Sequence, residues 1–201
     1  MIFFFRNTSE VTMKKSLGAK TLAQPAPVWL IGTYDEAGQP NLATVAWGGV
    51  CCSKPPCVSV ALRPATHSHD SILERKAFTV NVATEAFARQ ADFCGIASGR
   101  DTDKFAATGL TPVKSELVDA PFADELPLVL ECKLQQAVKV GGHTLFIGEV
   151  VDVKADESVL SDEGCPHIEK VRPLIFTPVL RNYHGVGEYL GQAFSIGKEL
   201  K

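Results

Sequence analysis

Two long β-forming runs, 126–140 and 144–153, are separated only by Gly141-Gly142 and His143. A Gly-Gly pair supplies the positive φ values that a two-residue hairpin turn needs, so the two runs predict one long antiparallel hairpin. A chain committed to such a ribbon must bury one of its faces against more β structure or against helices. The rest of the sequence supplies both. The run 28–34 is rich in β-formers, 35–40 is a turn with Gly38 free to take positive φ, and 41–50 returns as a second strand. Pro55-Pro56 cannot sit inside a ladder and therefore precedes the next strand, 58–62. A short helix is predicted over 68–75, a strand over 78–83, a helix over 84–94 with Thr84 as N-cap, and a helical turn over 103–109 ended by Gly109. A last short strand is predicted at 174–178, followed by a Gly- and Tyr-bearing tail from Leu180. Many short strands joined by turns, with a few helices between them, favour a mainly β small barrel with helical decorations over a doubly wound parallel sheet.

The 201 residues suit one domain, and 45% hydrophobic with 21% charged residues is the balance of a chain able to bury a core. We assign residues 13–201 to that domain. Residues 1–12 read as an extension, either a disordered arm or a misassigned start, because Met13-Lys14-Lys15-Ser16 has the form of an ordinary protein start. The net charge of −3 and the lack of a basic run argue against nucleic-acid binding. The apolar start is too short for a signal core, and no run approaches the roughly 20 residues that span a bilayer, so no membrane association is expected. Cys51, Cys52, Cys57, Cys94, Cys132 and Cys165 form no Cys-x-x-Cys pair and read as reduced thiols of a cytoplasmic protein. Cys51 and Cys52 read as small apolar fillers rather than redox groups.

Chemistry-bearing residues collect where strands end. Ser68 either caps a helix or, with N–H groups at the helix start, receives an anion. His67 and His69 flank it but lack the further ligands that a metal needs. Lys104 is a solvated charge unless it converges with Ser68 on one phosphate. Arg63 ends a strand and reaches either a ligand or a surface carboxylate. Asn81 lies mid-strand and must find partners in backbone or in a ligand's polar edge. Trp47 is core or a stacking wall for a flat ring, and His143 follows the Gly-Gly turn. No Gly-x-Gly-x-x-Gly, phosphate-binding Walker loop, His-Glu-x-x-His or Gly-x-Ser-x-Gly elbow occurs, which disfavours a dinucleotide-fold dehydrogenase and a serine hydrolase.

In order and spacing, Asn41…Thr44-x-x-Trp47, Ser53-x-Pro-Pro, Ser59-Val-Ala-Leu-Arg63, His67-Ser-His-Asp-Ser-Ile72 and Phe78-Thr-Val-Asn81-Val resemble the flavin reductase-like family of FMN-binding split barrels. Asp103-Lys-Phe105, the run 142–150 and Tyr183 continue the likeness, which covers nearly all of residues 14–200. The resemblance implies a homodimer with one non-covalent FMN per subunit near the interface. It implies FMN contacts from Asn41, Trp47, Ser68, Lys104, His143 and Phe176, with Ser68 and Lys104 on the phosphate. Arg63, Asn81 and the backbone from Ala46 to Ser53 are implied around the ring and ribityl chain. It makes an electron-transfer flavoprotein working with a redox partner protein the leading function. An NAD(P)H:flavin oxidoreductase comes second, and a non-redox ligand-binding barrel third. No catalytic side chain is expected, because the flavin itself carries the redox chemistry.

Overall fold

The computed structural model describes residues 13–200, so the expectation for residues 1–12 lies outside the described residues. In chain order the elements are β1 (Ala26–Pro27), β2 (Trp29–Tyr34), β3 (Pro40–Val45), β4 (Gly48–Ser53), β5 (Pro56–Leu62), α1 (His67–Arg75), β6 (Ala77–Val82), α2 (Ala88–Ile96) and α3 (Lys104–Thr108). They continue with β7 (Pro112–Lys114), β8 (Pro121–Ala123), β9 (Leu128–Val140), β10 (His143–Ala155), α4 (Ile168–Val171), β11 (Ile175–Thr177) and β12 (Asn182–His184).

Seven strands form one antiparallel sheet in the order β3-β2-β6-β9-β10-β5-β4. Its two edge strands, β3 and β4, are consecutive in the chain and joined by Ala46-Trp47 alone. A flat sheet of that order would hold its edges about 29 Å apart. Two linking residues span at most about 11 Å. The sheet must therefore curl until its edges meet, and the Ala61 N–H donates to the Trp47 carbonyl at 2.8 Å, carrying the β4–β5 ladder up to the joint. The predicted mainly β barrel with helical decorations is the fold that forms.

Strand alternation sorts side chains into two cores. Ile31, Val45, Val58, Val60, Phe78 and Phe146 fill the barrel interior. Leu30, Leu42, Ala91, Phe105, Leu126 and Leu174 pack the other face against the helices. Burial on both faces explains why β2 reads as a near-continuous apolar run.

The predicted β9–β10 hairpin forms, with Gly141 at φ 55° in its turn. Asp103 caps α3 by accepting from the Ala106 N–H at 3.0 Å, and Gly109 ends that helix at φ 70°. Three expectations need correction. The strand predicted over 41–50 breaks at Ala46-Trp47 into β3, which pairs with β2, and β4, which pairs with β5, because the chain crosses there from one edge of the sheet to the other. Thr84 does not cap α2: a 3-10 turn at Glu85–Phe87 intervenes, and Thr84 instead bridges Pro173. The tail contains β12, which pairs with β11 and sets Tyr183 opposite Phe176.

Candidate functional site

At the seam of the barrel lies a cleft of about 410 Å³. One wall is β3 and the β3–β4 joint, with Asn41, Thr44, Ala46 and Trp47. A second is the end of β5 and the start of α1, with Arg63, Thr66 and His67. The segment 94–99 at the end of α2, Lys104 on α3, His143 at the start of β10 and Phe176 on β11 close it. Seven residues singled out in the sequence thus converge here: Asn41, Ala46, Trp47, Arg63, Lys104, His143 and Phe176.

Lys104 sets the electrostatics. Its side chain is only 4% exposed, and its ammonium donates to two backbone carbonyls, Leu42 at 2.8 Å and Cys94 at 2.7 Å. No carboxylate pairs with it among the described residues. Burial pushes its pKa below the ordinary lysine value, with the nearby Cys94 thiol acting in the opposite sense. Burial likewise raises the Cys94 thiol to about 11. The cleft also carries Arg63, His67 and His143, and no Asp or Glu among the described residues lines it. In a chain of net charge −3, the cations Lys104 and Arg63 in one cleft select for an anion.

Asn41 is the second polar anchor. It is 4% exposed, and its Nδ2 donates to Ser68 Oγ at 2.9 Å. Its Oδ1 is buried against Gly99 with no hydrogen-bond partner among the described residues. Gly99 lies so close to Asn41 and His67 that any Cβ there would collide with both. Trp47, 37% exposed, presents a flat surface beside these polar groups, and Phe176 packs against Tyr183 with ring centroids 5.6 Å apart. Tyr183 donates to Asp92 Oδ1 at 3.0 Å, and burial with that carboxylate raises its pKa to about 12.

Three of the singled-out residues do not line the cleft. Ser68 is neither cap nor cleft wall: Thr66 is the N-cap, and Ser68 Oγ is fully buried, accepting from Thr33 Oγ1 and Asn41 Nδ2 at 2.9 Å each. It acts on the cleft through Asn41. Asn81 is consumed by the scaffold: Nδ2 donates to the Leu30 carbonyl and Thr79 Oγ1, and Oδ1 accepts from the Ala123 N–H at 2.8 Å. Ser53 is exposed at the far tip of the β4–β5 hairpin. Cys51 and Cys52 are also exposed on edge strand β4, so they are not core fillers. His69 ties α1 to the barrel, with its ring nitrogens 2.7 Å from Asp70 Oδ1 and 2.9 Å from Thr144 Oγ1. No cluster of potential metal ligands occurs among the described residues. The segment 94–99 was missed in the sequence. Its Gly95-Ile-Ala-Ser-Gly99 spacing is the signal that marks it, since both glycines stand where backbone meets β3 or α1 side chains closely.

Residues 22–186 match the family model described as the flavin reductase-like domain. The chain belongs to the flavin reductase-like family. Its fold superposes on flavoredoxin of Desulfovibrio vulgaris with a TM-score of 0.89 and 54% identity, covering 92% of this chain and 100% of that one. Flavoredoxin from Methanosarcina acetivorans superposes with a TM-score of 0.88 and 28% identity, covering 94% and 100%. In sequence, the uncharacterised protein YddH of Escherichia coli is 31% identical over 145 residues, 70% of this chain and 76% of that protein. The seam between β3 and β4 is thus the opening of a flavin reductase-like split barrel. No helix among the described residues is long and apolar enough to cross a membrane.

Proposed function

We propose that the cleft binds FMN without a covalent bond, and that the protein is a cytoplasmic electron-transfer flavoprotein serving a redox partner protein. The observation that carries this reading is the buried Lys104 ammonium, which among the described residues has no carboxylate partner and sits in a cleft with an aromatic wall and no acidic lining. A phosphate completes that cation, and the N-terminus of α1 at Thr66 and His67 adds N–H groups of the matching polarity. Asn41, which lines the same cleft, is a polar side chain beside the ribityl chain. Trp47 and Phe176 offer apolar surface to a flat ring, and Arg63 and His143 are donors for its polar edge. The backbone at Ala46 borders the same space. Ser68 would hold Asn41 in place rather than touch the ligand. Bound FMN supplies the redox chemistry, and the residues of this chain bind and orient it and exclude water. The names of the Desulfovibrio and Methanosarcina relatives point the same way.

A homodimer is part of the proposal. Tyr189, Leu190, Phe194 and Ile196 are exposed in the single subunit, as are Val138 and Val140 on the β9 arm, and a second copy would cover apolar surface of this extent.

A second reading, NAD(P)H:flavin oxidoreductase, has one observation in its favour. An apolar recess lined by Pro27, Ala46, Gly48 and Pro178 continues past Trp47, where a nicotinamide ring would find cover. The visible spectrum of the purified protein, followed by anaerobic addition of NADH and NADPH, separates the readings. A yellow protein that resists both nucleotides but is reduced by a protein donor is the expected result. Rapid bleaching by either nucleotide moves the assignment to the reductase. A colourless protein that takes up no added FMN sinks both.

A further inference from the structure

The β4–β5 hairpin carries a thiol arrangement that the cleft does not use. Cys52 on β4 pairs directly with Cys57 on β5, one step from the turn closed by Ser53 and Pro56. Between Val50 and Cys52 the register shifts, so Cys51 is the extra residue of a bulge. A bulge sets two residues of one strand against one of the other, and here all three are cysteines. Directly opposed residues in an antiparallel pair have Cα atoms about 4.5–5.5 Å apart. That lies inside the roughly 4.4–6.8 Å that a disulfide requires. Cys52 is exposed and Cys57, opposite it, is buried, and all six cysteines are free thiols. Burial pushes the Cys57 thiol up, and Cys52, Cys51 and Glu149 all bear on it in the same sense. Such a short hairpin loop makes a static disulfide a poor staple, because little chain entropy is removed by closing it. An accessible thiol over a buried one in a short hairpin suits a bond that forms and breaks.

We propose that Cys52 and Cys57 are a redox-active dithiol that exchanges with low-molecular-weight disulfides, with Cys52 as the attacking and Cys57 as the resolving thiol. The Cys52 thiolate attacks one sulfur of a disulfide such as oxidised glutathione, forming a mixed disulfide and releasing one glutathione thiolate. Cys57 then attacks Cys52 Sγ, forming the intrachain bond, breaking the mixed one and releasing the second glutathione. The protein dithiol loses two electrons and two protons, and the small disulfide becomes two thiols. The site lies at the far end of β4 from Trp47, so the exchange is independent of what the cleft holds.

The test equilibrates the native, full-length protein with defined ratios of oxidised to reduced glutathione, quenches with acid, alkylates, and maps peptides by mass spectrometry. The expected product is a peptide linked through Cys52 and Cys57, lost again in excess reduced glutathione, whether or not FMN has been added. Cys57→Ala should trap glutathione on Cys52 as a lasting adduct, and Cys52→Ala should abolish the intrachain link and leave Cys57 free to alkylate. Since Cys52 is exposed, its variant tests the idea even if the buried Cys57→Ala fails to fold. A glutathione adduct confined to Cys51, a link through Cys51, or thiols that stay free at every ratio would overturn the proposal.

Discussion

Lys104 carries more of the site than any other side chain, and its pH behaviour is its most testable property. Burial lowers its pKa, so the folded chain holds this proton less tightly than the unfolded chain does. The charged ammonium therefore costs stability below the lowered value, and that cost is relieved as pH rises through it toward the unfolded value. A bound anion works the other way, favouring the charged form. Affinity for FMN should be full below the lowered value and fall as pH climbs through it. Lys104→Met should weaken FMN binding by about 1.5–3 kcal/mol and remove that alkaline limb. Fluorescence titrations of FMN at a series of pH values measure both effects, and unchanged affinity at neutral pH would take Lys104 out of the site. The sequence identified Lys104 as a candidate but not its burial, since a lysine following a helix cap is most often solvated. Ser68 shows the converse. Its hydroxyl reads in the sequence as a cap or an anion ligand, yet its partners are Thr33 and Asn41, brought to it by β2 and β3.

The β3–β4 joint decides most about the elements. Periodicity and β-propensity run unbroken from Asn41 to Val50, so the sequence reads as one strand. The break at Ala46-Trp47 marks where the chain leaves β2 for β5 as its partner strand, and just past it the Trp29 ring occupies the space where a side chain at residue 48 would go. Gly48→Ala should therefore force the ring or the joint aside and destabilise the fold by about 1–3 kcal/mol, read by urea denaturation. A loss within error would show that the ring yields freely. The hairpin at Gly141-Gly142 and the Asp103–Gly109 helical turn were legible beforehand because their determinants are local: turn glycines, a cap and a stop. The segment 94–99 was not, because it meets Asn41, Thr44 and His67 from far away in the chain; β7, β8 and β12 were not, because strands of three residues are too short to show a period, although their partners lie close by in the chain.

For the whole molecule, the exposed apolar tail and β9 arm predict that the protein sediments as a dimer at micromolar concentration. Substituting Leu190 and Phe194 together by serine should shift it toward monomer in analytical ultracentrifugation if the tail forms the contact. A wild-type monomer over the same range would end the homodimer proposal. The sequence by itself determined that this chain is a mainly β barrel with helical decorations, because turn chemistry, strand periodicity and helix caps act over a few residues. It also marked most of the polar groups of the cleft, through their place at strand ends. Only the tertiary structure decided which of them share one space. Curling the sheet brings β3, the end of β5, α3 and β11 together at the seam, leaves Lys104 a buried cation without a carboxylate partner among the described residues, and turns Asn81 inward to the scaffold. Those outcomes depend on contacts between residues tens of positions apart, and local sequence carries no record of such distances.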